Sequence, residues 1–232
     1  LDHNLKKKKM TLDNVSHVVL SHGHYDHTGG LLWVLSQLKM PTLVADPIIF
    51  NQKYSDRGEG KELVEIGIPF TREQIEEKAN LLLSAEPVEI MEGVIVTGRI
   101  PRITSFEKAP QSMLVEIDGE KQPDTILDDR SIVLQTEKGL VLLTGCCHAG
   151  IINTLFEIRS RFGKPVYAIT GGIHLVGASE ERVQKTIEAL RDEYKQAEMY
   201  FNHCTGLDAI IALTNAFGKQ VKPCYAGTIL EF

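Results

Sequence analysis

Ser21-His22-Gly23-His24-Tyr25-Asp26-His27-Thr28-Gly29-Gly30 decides how the rest of the chain reads. It follows Val18-Val19-Leu20, an apolar run that reads as a buried strand, and the glycines beyond it suit a tight exit into a helix. His22 and His24, two apart, fall on one side of an extended strand end, and Asp26 and His27 then lie on the turn. Imidazoles and a carboxylate are donors suited to zinc, iron or manganese. The motif therefore predicts one or two divalent ions, zinc first, with manganese, iron or magnesium as alternatives. A lone His-x-His carries little weight; strand, His-x-His-x-Asp-His and Gly-Gly together carry much.

The bulk numbers set the frame. A chain of 232 residues buries a sizeable core without needing metal to hold it together. With 43% apolar and 24% charged residues it has the composition of an ordinary globular protein, and one domain over residues 1–232 is the expectation. A formal net charge of −6 argues against a nucleic-acid partner. No apolar run reaches membrane-span length, so no membrane partner is expected. Cys146, Cys147, Cys204 and Cys224 show no Cys-x-x-Cys pairing, which suits reduced thiols in a cytoplasm. Homo-oligomerisation stays open.

Along the chain, Leu5 to Met10 reads as a short helix, Leu31 to Leu38 as a packed helix and Pro41 to Ala45 as a strand. Residues 51–61 are polar and glycine-containing and read as a mobile loop. Thr71 and Gln74 have the spacing of a capping box. Strands are predicted at Val88–Ile90, Val94–Thr97, Met113–Ile117 and Ser131–Thr136. From Leu140 the chain alternates strand and helix three times: strands Leu140–Thr144, Val166–Thr170 and Met199–Phe201, helices Ile151–Phe162, Glu180–Lys195 and Leu207–Phe217. Cys146 and His148, Gly171-Gly172 and His174, and His203 each fall just past a strand end. That edge is where layered α/β folds bind ligands.

His22-x-His24-x-Asp26-His27 resembles the signature of the metallo-β-lactamase fold superfamily. Together with Thr144-Gly145-Cys146-Cys147-His148-Ala149-Gly150-Ile151, Gly171-Gly172-Ile173-His174-Leu175 and His203-Cys204-Thr205-Gly206, the chain is similar to that superfamily's dihydropteroate-synthase-like branch. Its members carry the name of a dihydropterin–aminobenzene ribose phosphate synthase. The resemblance implies an α/β (α+β) fold, the αββα sandwich, here lacking or missing its N-terminal strands, because only 21 residues precede His22. It also implies a family insertion over residues 52–102.

By the same resemblance, the metal ligands are His22, His24, Asp26, His27, His148 and His203. Asp26 and His174 take catalytic roles, and Gly171, Gly172, His174, Thr205 and Gly206 contact a phosphorylated small-molecule substrate. One departure stands out. Many superfamily members have a bridging Asp where this chain has Cys146. Cys146 reads as an inert core residue ahead of a thiolate ligand, and Asp128 and Asp129 as turn residues ahead of a substitute bridge. The implied function is a metal-dependent enzyme acting on a phosphorylated pterin-type substrate. A metal-dependent hydrolase of phosphoester or acyl substrates, and a non-catalytic metal or redox-sensing protein, are the alternatives.

Overall fold

The computed structural model describes residues 1–232, which divide into two compact units, each made of two chain segments. The first comprises residues 1–86 and 109–128, the second residues 87–108 and 129–232. Residues 52–102, read as an insertion, supply elements to both.

The first unit holds two sheets. Three parallel strands, His17–Val19, Thr42–Ala45 and Asn80–Leu83, pair in that order. They pack with Leu20, Leu31, Leu35, Leu43, Ile49 and Ile75 into one apolar cluster. The predicted helix over 31–38 forms as Leu31–Ser36, with Leu31 and Leu35, one turn apart, facing inward. The second sheet is antiparallel, in the order Val64–Glu65, Lys53–Ser55, Met113–Ile117, Glu120–Pro123. Here the expected mobile loop gives way to structure. Lys53–Ser55 is a strand paired with Met113–Val115, and Lys53 is fully buried. Carboxylates far away in sequence satisfy its ammonium, and local composition cannot show this.

The second unit is built on a seven-stranded sheet. Gly139–Thr144, Val166–Gly171, Glu198–Phe201 and Val221–Pro223 are parallel neighbours, followed on the other side by the antiparallel strands Ser131–Thr136, Val94–Val96 and Val88–Met91. Leu140, Val141 and Leu142 are all fully buried: Leu140 and Leu142 face the helices, while Val141 packs on the other face with Ala168 and Tyr200 beneath Leu230 and Phe232. The helix Ile151–Phe162 presents Ile151, Leu155 and Ile158 to the core, and Glu180–Glu193 presents Ile187 and Leu190. Burying such a Leu or Ile contributes about 1.5–3 kcal/mol each. The start of Ile151–Phe162 is held by the chain's own anion. Glu107, almost fully buried, accepts the amides of Ile152 and Asn153 at 2.9 Å each, and burial pushes its carboxyl pKa up.

Candidate metal centre

In the first unit the strand His17–Val19 ends at the edge where its parallel neighbours also end, and Leu20 extends it by donating to Val44 O. The chain then turns through His22-Gly23-His24 into the short helix Tyr25–Thr28. His22 and His24 are buried, His27 is half-buried and Asp26 is exposed. The rings of His22 and His24 lie 4.5 Å apart by centroid, those of His22 and His27 4.3 Å, and Asp26 Oδ2 lies 3.4 Å from His27 Nε2. The hydroxyl of Ser21 hydrogen-bonds Nδ1 of His22 at 3.1 Å and Nδ1 of His27 at 3.2 Å. A ring held at Nδ1 coordinates through Nε2, so this serine orients two donors at once.

Gly23, between two of the histidines, is required by crowding: a Cβ there would lie 2.6 Å from Ile49 O. Its amide donates to Asp128 Oδ2 at 2.8 Å, and Lys53 Nζ holds Asp128 and Asp124 at 2.9 Å each. All three charged side chains are buried. Burial alone would lower the Lys53 ammonium's pKa, but Asp128 and Asp124 outweigh it and hold it above its usual value. Burial pushes the Asp128 carboxyl up, and neither Lys53 nor the Gly23 amide fully offsets it. Burial, then the positive charge of Lys53, lowers His24 to about 4, so its imidazole is neutral at pH 7. Neutral imidazole is the form that ligates a metal. By donor type, proximity and protonation this cluster fits a divalent cation.

In the second unit the three expected residues sit at the ends of three adjacent parallel strands. His148 is buried, His174 half-buried and His203 exposed. The rings of His148 and His174 are 4.1 Å apart. His174 and His203 have φ of +47° and +50°, and Cys147, beside His148, has φ of +58°. Side chains rarely adopt this left-handed backbone, and it concentrates at functional sites. Cys146, His174 and Cys204 bring their ligating atoms within 4.8 Å of one another. The Cys204 thiol is lowered to about 5, first by its hydrogen bond with Cys146, with burial opposing and His174 lowering it further. Cys147 is different: wholly buried against Thr154, its thiol is pushed far up by burial. No disulfide joins the four cysteines.

Several expected contacts serve the protein's own loops. The amide of Gly172 donates to Gly145 O, and the Thr205 hydroxyl accepts the amide of Ile173. Gly206 opens the helix Leu207–Phe217 beside a cleft of about 350 Å³ that also contains Glu180 and Asp208. Asp128 and Asp129 are anchors rather than plain turn residues: Asp128 takes the Gly23 amide, and Asp129 takes that of Ala149 at 2.9 Å. Ser21, Lys53 and Cys204 received no role from the sequence. Ser21, next to His22, and Cys204, inside the motif His203-Cys204-Thr205-Gly206, carry a local signal; Lys53 carries none.

A family model described as the metallo-beta-lactamase superfamily matches residues 1–121. The chain belongs to this superfamily. It is 30% identical over 99% of its length to the 7,8-dihydropterin-6-methyl-4-(β-D-ribofuranosyl)-aminobenzene-5′-phosphate synthase of Methanocaldococcus jannaschii, covering 79% of that protein. It is 31% identical over 87% of its length to an uncharacterised protein of the same organism, 73% of which is covered. Among solved structures, a metal-dependent hydrolase of the beta-lactamase superfamily superposes with a TM-score of 0.85 at 29% identity, over 99% of this chain and 84% of that one. The mixed α/β architecture is therefore that of the superfamily. No helix is long and apolar enough to cross a membrane.

Proposed function

We propose that the chain is a metal-dependent enzyme joining a dihydropterin-6-methyl group to an aminobenzene ribose 5′-phosphate. The observation that carries this is the 30% identity over 99% of the chain to a synthase of that description, together with the oriented histidine cluster of Ser21–His27. In this reading His22, His24, Asp26 and His27 are ligands, with His148 and His203 as those the family resemblance adds. A bound divalent ion would supply Lewis acidity toward a leaving phosphate oxygen. The aryl amine nitrogen bonds to the pterin methylene carbon. The carbon–oxygen bond to a diphosphate breaks with its electron pair going to oxygen, and one proton leaves the nitrogen. His174, half-buried at its strand end, accepts that proton or contacts phosphate, and Asp26, exposed at the helix start, is the second candidate acceptor.

The likeness to a metal-dependent hydrolase supports a second reading, in which water cleaves one phosphoester or acyl compound. A diphosphate-release assay in Zn²⁺, Mn²⁺ or Mg²⁺ separates the two. The synthase reading expects diphosphate only when the pterin diphosphate and the aminobenzene ribose phosphate are present together. Release from one compound alone, with no gain from the second, would replace it with the hydrolase.

A further inference from the structure

We propose that Cys146, His174 and Cys204 form a binding site for a thiophilic cation such as Zn²⁺, with all its protein donors in the second unit. The three residues follow three adjacent parallel strands, and their sulfur and nitrogen atoms lie within 4.8 Å of one another. Backbone contacts build this proximity. The Val176 amide donates to Cys204 O at 3.0 Å and the Ile173 amide to Thr205 Oγ1 at 3.2 Å, tying the His174 loop to the Cys204 loop on both sides. Cys204 Sγ points at Cys146 O from 3.4 Å. Gly172 makes the space: a Cβ there would stand 2.6 Å from Cys204 Sγ. His174 is held at φ +47°, and its Nδ1 is buried without a hydrogen-bond partner.

Two thiolates and an imidazole are a soft donor set that selects zinc over magnesium or calcium, and three protein donors leave a fourth position open. Of the neighbouring cysteines only Cys146 takes part, because Cys147 is turned to Thr154 in the core. Binding here uses His174 as a donor, so an ion in this site would compete with the proton or phosphate role proposed above.

Co²⁺ is the probe, because thiolate coordination gives it a near-ultraviolet charge-transfer band that histidine and carboxylate coordination lack. The full chain, stripped with chelator and kept reduced, is titrated with Co²⁺. The expected result is a saturable thiolate band that is lost in Cys204→Ser and in Cys146→Ser and kept in Cys224→Ser and His22→Ala. Should Cys146→Ser fail to fold, Cys204→Ser, with its half-buried side chain, decides alone. No band in the unaltered chain, or a band surviving Cys204→Ser, overturns the site. Loss of the band in His22→Ala overturns it as well, by giving the thiols to the histidine cluster's ion. Because the band is read without substrate, the site stands or falls independently of the proposed reaction.

Discussion

Replacing Lys53 with methionine removes one positive charge from between two buried carboxylates while keeping most of the side chain's length. Lys53 Nζ lies 2.9 Å from both Asp124 and Asp128, and all three side chains are at most 5% exposed. Breaking a buried pair by deleting one partner costs about 3–5 kcal/mol, since the survivor is left charged and desolvated. Here two survivors remain, so the upper part of that range applies, while the packing change of a volume-conserving swap adds less than about 1.5 kcal/mol. Total stability for a domain is about 5–15 kcal/mol, so the variant should be severely weakened. Urea unfolding of the metal-free protein at pH 7, followed by circular dichroism, measures it. Adding Asp128→Asn to Lys53→Met should restore part of the loss, because one stranded charge is then neutral. A loss below about 1 kcal/mol, or no restoration in the double variant, would show that Lys53 does not bear the burden assigned to it.

Two further outcomes follow from the same unit. Ser21→Ala removes the hydrogen bonds to Nδ1 of His22 and His27, and metal affinity measured by competition with a chelator should fall about 10–100-fold; unchanged affinity contradicts the orienting role. For His24 the folded pKa of about 4 lies below the unfolded 6.5, so the unfolded chain binds more protons between them. Metal-free stability should be full above pH 6.5 and decline by about 3 kcal/mol as pH falls toward 4. A His24→Gln variant with an undiminished pH slope assigns that slope to other groups.

Much of the architecture was legible because it rests on local patterns. Ile151–Phe162 and Leu207–Phe217 occupy the residues that the alternation of strand and helix predicts, and Thr71 and Gln74 form the expected capping box. Helix and strand ends elsewhere shift by a few residues, as with Asp2–Lys8 for the predicted 5–10. The strand Asn80–Leu83 is not legible in the sequence because Leu81-Leu82-Leu83 lacks alternation, and what makes it a strand is pairing with Thr42–Ala45. Lys53 and Asp128, 75 residues apart, were invisible as partners for the same reason. The histidines are legible because their spacing is itself the signal. The role of Cys204 is not, since its meaning comes from Cys146 and His174 past the ends of neighbouring strands.

The two units are interleaved in the chain: 1–86, then 87–108, then 109–128, then 129–232. On a ribosome this order has consequences. The first unit cannot close until residue 128 has been made, because Met113–Ile117 supplies the partner of Lys53–Ser55 and Asp124 and Asp128 neutralise Lys53. Meanwhile the Val88–Met91 and Val94–Val96 hairpin has emerged with one edge unpaired, and its partner Ser131–Thr136 arrives only some 35 residues later. An isolated two-stranded hairpin is marginal in water and its open edge invites pairing with other chains. Synthesis that pauses between residues 97 and 131 should therefore favour aggregation, and a single cut anywhere in the chain cannot release either unit whole.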